Sequence, residues 1–188
     1  QELKRIAAAF QENSLDFAVI KGPQLSRMLY GREALKESVD LDIMLVSPPD
    51  AVRAHALLTG LGYTRCTLDD YRSAFAKRFY IHAKREVQYI APDTRNVIDL
   101  HIKPGANAYL TARLFRGFFA GLVTFDLEGV GLPVLPPEKY LVYLCYHGSL
   151  HQFSRLAWLL DIRAFVRQLK RTLDPQKLLD LARPMHMD

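Results

Sequence analysis

The chain has 188 residues, of which 49% are hydrophobic and 24% charged, with a formal net charge of +5. This describes a globular chain long enough to bury a sizeable core, one α/β domain with a helical appendage, and excludes a low-complexity or disordered protein. No apolar run is long enough for a bilayer-crossing helix, and the first residues lack a basic-then-apolar leader, so no membrane association is expected.

The basic residues are scattered rather than massed, which suits a small anionic partner such as a nucleotide and does not point to specific nucleic-acid binding. Cys66 and Cys145 lie in apolar segments without metal-ligand spacing. A disulfide is therefore not expected, and a reducing cytoplasm is the default compartment.

Leu3, Ile6, Ala7 and Phe10 recur at helical spacing and predict an amphipathic helix over residues 2–12. Phe17-Ala18-Val19-Ile20 reads as a short buried strand running into Lys21-Gly22-Pro23 and then a helix through Leu25, Met28 and Leu29. A strand, a Gly turn and a helix start offer backbone N–H groups and a positive dipole end to an anion, and Lys21 adds a full charge. Lys21 and Gly22 are therefore candidate phosphate contacts, with Ser38, Arg32 and Lys36 as further candidates in the connection that follows.

Val39-Asp40-Leu41-Asp42-Ile43-Met44-Leu45-Val46 is the most informative segment. Successive strand side chains alternate, so Asp40 and Asp42 share one face while Leu41 and Ile43 turn to the other. Their roots lie roughly 6–7 Å apart, and carboxylates at that spacing can bridge two divalent ions about 3.5–4 Å apart. Asn96-Val97-Ile98-Asp99-Leu100-His101-Ile102 alternates in the same way, with Asp99 and His101 on one face. Asp99 is the candidate third carboxylate, and His101 a candidate partner of it or of the substrate.

Between these strands, Ser47-Pro48-Pro49-Asp50 marks a helix start with Ser47 as N-cap candidate, and Gly60-Leu61-Gly62 marks its end. Segments 62–67, 78–82 and 86–91 read as strands, 109–118 as a short helix, and 122–135 as a hairpin turning at Glu128-Gly129. Pro136-Pro137-Glu138 opens a helical region, broken near Gly148 and reaching about Lys170, and a last helix over 174–183 starts at Asp174-Pro175.

His147, His151 and Arg155 follow one another at intervals of four and are expected to form one polar helix stripe facing the cleft, with Asp161 as an orienting partner for Arg155. Zinc is not favoured at the His pair, because no glutamate accompanies it as in metalloprotease helices. Leu156, Trp158, Leu159, Tyr140, Tyr143 and Tyr146 read as core packing.

Ile20-Lys21-Gly22 opening a helix, Asp40-Leu41-Asp42 on the second strand, Gly62-Tyr63, Asp99-Leu100-His101 and the stretch His147 through Asp161 together resemble the DNA polymerase beta-like nucleotidyltransferase superfamily. They are most similar to its bacterial branch labelled uncharacterised nucleotidyltransferase. The resemblance spans about residues 15–165, with one departure: Lys21-Gly22 stands where much of the superfamily has Gly-Ser or Gly-Gly.

It implies a mixed β-sheet flanked by helices, with an α/β domain over 1–135 and a helical C-terminal region over 136–188 packed on it, in a chain expected to be a fragment of a longer protein. It also implies two Mg2+ or Mn2+ ions on Asp40, Asp42 and Asp99 and a nucleoside triphosphate such as ATP as donor. The expected reaction is in-line attack on the α-phosphate with pyrophosphate leaving. The acceptor is open among small molecule, peptide, protein and RNA. Neutralising Asp42 is expected to stop turnover and to leave stability unchanged or raised.

Two other functions use the same residues. A non-catalytic nucleotide- or partner-binding module on this fold would bind without turnover. A nucleotide-sugar glycosyltransferase also uses Asp-x-Asp, but its motif follows a longer α/β segment than the single strand found here. An Asp-x-Asp-x-Thr phosphatase is set aside because Met44 stands where a small hydroxyl or Val is expected.

Overall fold

The computed structural model describes residues 1–31, 40–66, 85–92, 96–104 and 117–185. The amphipathic N-terminal segment forms α1 (Glu2–Glu12) and buries the four residues at helical spacing, Leu3, Ile6, Ala7 and Phe10. It leads to β1 (Phe17–Lys21) and α2 (Pro23–Tyr30), which ends at Gly31 in the left-handed conformation. β2 (Asp40–Leu45) follows, then a 3₁₀ turn over Pro48–Asp50 and α3 (Ala51–Gly60). The entry is 3₁₀ rather than α-helical, and Ser47 gives no side-chain cap.

β3 is only Thr64–Arg65, within the expected 62–67 strand. β4 (Glu86–Ile90) and β5 (Val97–His101) lie where alternation predicted them. The expected strand over 78–82, almost all of the helix over 109–118, and Ser38, Arg32 and Lys36 lie outside the described residues.

The five strands form one mixed sheet in the order β1-β2-β5-β4-β3, with β2 and β5 parallel and the other neighbours antiparallel. A separate hairpin, β6 (Val123–Leu127) and β7 (Val130–Val134), packs beside β1. It turns at Glu128-Gly129, where both residues have positive φ, as a two-residue I′ turn requires. Lys4 Nζ binds Glu128 Oε2 at 2.5 Å and Gln11 Nε2 donates to the Gly131 carbonyl at 2.9 Å, tying α1 to the hairpin.

Three helices complete the described chain: α4 (Pro137–Leu150), α5 (Leu156–Leu169) and α6 (Pro175–Ala182). α4 docks on the sheet by its first half. Tyr140, fully buried, donates its hydroxyl to the Ile20 carbonyl of β1 and packs on Phe165 of α5 at 5.5 Å between ring centres. α6 is capped by Asp174, which accepts from the Gln176 and Lys177 N–H groups. Glu138 joins α6 to α4, accepting from Lys177 Nζ at 3.0 Å and from the Asp174 N–H at 3.3 Å.

Candidate active site

Strand register sets the floor of the site. The parallel pairing of β2 with β5 puts Asp42 beside Asp99 and Met44 beside His101, so the two carboxylates rise from one face about 4.8 Å apart at the backbone. Asp40 shares that face two residues earlier. All three line a single cleft of about 310 Å³.

A bulge brings in the fourth group. β1 pairs regularly with β2 up to Val19–Ile43 and then shifts by one residue, so that Lys21, not Ile20, stands opposite Asp42. Lys21 Nζ lies 3.8 Å from Asp42 Oδ1 and 2.7 Å from His147 Nε2. Because an ammonium can only donate, His147 Nε2 accepts, and its ring is neutral with the proton on Nδ1. Burial and then the Lys21 charge hold the His147 pKa down to about 3, in line with that tautomer.

Gly22 caps α2 at φ 137°, where a Cβ would meet Gln24 Oε1 at 3.0 Å, so the turn needs glycine. Pro23 has no N–H, and the Leu25 N–H already bonds the Gly22 carbonyl at 3.1 Å. An anion here would therefore depend on Lys21 and the turn itself more than on the first turn of the helix.

The two central carboxylates sit in opposite surroundings. Burial would raise the Asp42 pKa, but the His101 hydrogen bond at 2.7 Å and the Lys21 charge overcome it and bring it down to about 2. Asp99 is pushed up to about 6, first by burial and then by the Asp42 charge, and its Oδ1 is buried without a hydrogen-bond partner. His101, itself buried, presents Nε2 to Asp42, while its Nδ1 lies 3.5 Å from Glu86 Oε2.

Among the described residues no three His, Cys, Asp or Glu side chains close around a metal position by themselves. The donors nevertheless fit a hard divalent cation. Mg2+ is ordinarily held by one or two carboxylates together with water and phosphate oxygens, not by an all-protein cage. An orphaned carboxylate oxygen beside a second carboxylate is an anionic corner that a cation would neutralise.

The opposite wall comes from the helical region, and here the structure corrects the expected geometry. α4 runs through Gly148 to Leu150, the chain turns over residues 151–155, and Arg155 caps the start of α5 in an extended conformation. His147, His151 and Arg155 are therefore not one helix stripe, although all three line the cleft.

Gly148 does not break the helix. It makes room for the turn, in which Phe153, at φ 48°, returns its N–H to the Gly148 carbonyl at 2.8 Å and lays its ring on the glycine. Asp161 is buried and accepts from the Tyr30 hydroxyl at 3.2 Å, on the α2 side. Tyr140 and Tyr143 are core, as expected, whereas Leu156 is 69% exposed, Leu159 is 45% exposed, and Trp158 lines the cleft.

Arg85, Glu86, Ser154 and Trp158 line the site without having been singled out for it. Glu86 carried a readable signal: it pairs with His101 across β4 and β5, as Gln88 does with Asp99, so alternation in 86–90 turns both toward the acids. Arg85, paired with Glu86 at 2.7 Å, and Ser154, in an irregular turn, carried none.

A five-stranded mixed sheet with helices on its flanks and acids on its central parallel pair defines a nucleotidyltransferase fold. At TM-score 0.62 and 16% identity, 98% of this chain matches 94% of the chain in the crystal structure of ANT(2'')-Ia in complex with adenylyl-2''-tobramycin. The solution structure of the same antibiotic-resistance factor matches at TM-score 0.61 and 16% identity, over 98% of this chain and 89% of that one. An antigenic nucleotidyltransferase-like protein from Paracoccidioides brasiliensis matches at TM-score 0.57 and 14% identity, over 97% and 83%.

The chain belongs to the uncharacterised nucleotidyltransferase family, whose model matches residues 1–188. No curated protein matches it.

Proposed function

We propose that this protein transfers a nucleoside monophosphate from a nucleoside triphosphate to an acceptor hydroxyl or similar group, releasing pyrophosphate, with divalent metal. The observation that carries the reading is the registered pair Asp42–Asp99, with Asp99 Oδ1 buried and lacking a donor, inside a cleft that also holds Lys21.

Asp40 and Asp42 are the residues that would hold both Mg2+ or Mn2+ ions, and Asp99 one of them. Bound there, the pair supplies charge neutralisation for the phosphates and a lowered pKa for the attacking hydroxyl. Lys21 answers phosphate charge from the β1 end, and His101 orients Asp42 through Oδ1. The acceptor oxygen forms a bond to the α-phosphorus as the bond from that phosphorus to the bridging α–β oxygen breaks. The acceptor proton passes to Asp99, whose Oδ1 is buried without a hydrogen-bond partner.

In this reading residues 136–188 are the second wall of the cleft formed with 1–135. A cytoplasmic setting fits two cysteines that are both free thiols, and no described helix is long and apolar enough to cross a membrane. The test is a screen of the four ribonucleoside triphosphates with Mg2+ or Mn2+, following pyrophosphate and labelled adduct on small-molecule, peptide, protein and RNA acceptors. Metal-dependent pyrophosphate release with a labelled adduct is expected. Nucleotide binding without any release across the screen would make the chain a binding module instead.

A further inference from the structure

The cleft has two chemically different sides. The acids and Lys21 occupy the strand side. On the helical side, three rings close on one another: His147 to His151 at 4.7 Å, His151 to Trp158 at 5.2 Å, and His147 to Trp158 at 5.4 Å between centres. The Arg155 guanidinium lies 5.7 Å from the centre of the Trp158 ring.

These groups differ in their freedom. His147 is committed to Lys21 through Nε2, whereas His151 and Arg155 are exposed and Trp158 is half-buried. The lining thus offers an outer group of flat side chains, an indole with an imidazole tilted 45° to it and a guanidinium beside its ring. Partial desolvation and the positive charges of Arg85 and Lys21 lower the His151 pKa.

From this geometry we infer that Trp158, with His151 and Arg155, is the stacking surface for the nucleobase of the bound nucleotide. The inference rests on the nucleotidyltransferase reading and extends it to the base. With the phosphates held by the strand side, the nucleoside attached to the α-phosphate must leave that side. Apart from His101, which is buried and bonded to Asp42, the aromatic groups among the described residues that line the cleft belong to the helical wall. Aromatic and guanidinium faces accept any base by stacking, without reading hydrogen-bond edges, so the wall confers affinity with weak base preference. This also separates Trp158 from Tyr140 and Tyr143, which are sealed in the core.

Trp158 is the sole tryptophan in the chain, so intrinsic indole emission reports this wall alone. Wild-type protein with Mg2+ and no acceptor is titrated with ATP, GTP, CTP, UTP and inorganic tripolyphosphate, reading emission and calorimetric affinity together. All four nucleotides should quench, while tripolyphosphate binds without quenching. Trp158→Ala should weaken nucleotide binding roughly ten-fold, within the range for loss of one base–aromatic stack, and leave tripolyphosphate affinity unchanged. Trp158→Phe should recover most of the loss.

Nucleotide binding with unchanged emission, and with unchanged affinity in Trp158→Ala, would overturn the stacking wall and leave the nucleotide reading standing. Equal weakening of nucleotide and tripolyphosphate would show a structural role and overturn it as well. Failure of every triphosphate to bind would overturn both.

Discussion

Asp42 and Asp99 are neighbours across one pair of strands, yet burial acts on them with opposite net results. Asp42 has His101 and Lys21 to hold its charge, so its pKa falls from 3.8 to about 2 and its charged form adds stability above pH 3.8 that is lost as pH falls toward 2. The expectation that neutralising Asp42 leaves stability unchanged or raised therefore changes sign. Asp42→Asn should destabilise the metal-free fold by about 1–3 kcal/mol through loss of a charge-assisted bond, and lower metal-dependent turnover by roughly 10²-fold or more. Denaturant melts and pyrophosphate release measure the two separately.

Asp99 runs the other way. Its folded pKa of about 6 against 3.8 means the folded state holds the proton more tightly, so its contribution to stability falls as pH rises from about 4 to 6 and stays unfavourable above that. In chelator-treated protein, Asp99→Asn should raise Tm at pH 7 by a few degrees and by much less at pH 4.5. An equal shift at both pH values would mean that the Asp99 carboxyl is not strained by its surroundings. The acids were legible because period-2 alternation fixes a shared face. The place of Lys21 opposite Asp42 was not, because a one-residue bulge has no signature in Val19-Ile20-Lys21.

At the scale of elements, the helical wall depends on how α4 ends. Alternating and helical patterns located the described strands and helices closely, since each buries one face against a neighbour. The expected stripe of His147, His151 and Arg155 failed because the helix runs past Gly148 and the break falls after Leu150. The actual role of Gly148 depends on Phe153, five positions later, folding back over it. A Cβ at Gly148 would stand 2.2 Å from the Phe153 ring, and because the Phe153 N–H holds the two backbones together at the Gly148 carbonyl, the ring would have to leave its rotamer. Gly148→Ala should therefore destabilise the protein by about 1–3 kcal/mol, as overpacking does, and raise the nucleotide KM by displacing His151 and Arg155. Gly148→Ala with Phe153→Leu should recover part of both. An alanine variant with wild-type Tm and KM would remove the turn from the account of the site.

At the scale of the whole molecule, the question is whether 136–188 is a separate body or part of the core. The sequence offered a boundary at Pro136-Pro137, and prolines there do start a helix, but composition says nothing about what that helix buries. In the structure α4 supplies Tyr140, wholly buried and bonded to the β1 backbone, and α5 supplies Phe165, wholly buried against it. Gln168 Nε2 donates to the Leu29 carbonyl of α2 at 2.9 Å, and Lys21 binds His147 beside the acids. Opening the helical region would expose both aromatics and exchange the bonds to the Ile20 and Leu29 carbonyls for water, at about 0.5–1.5 kcal/mol net for each. The two regions should therefore melt together. Calorimetry is expected to give one transition with calorimetric and van't Hoff enthalpies in agreement. Tyr140→Phe, which removes the hydroxyl while keeping the ring, should lower that one Tm without splitting it. Two resolved transitions in the wild type, or a shift confined to one of them in Tyr140→Phe, would make 136–188 an independent domain and the cleft a movable interface.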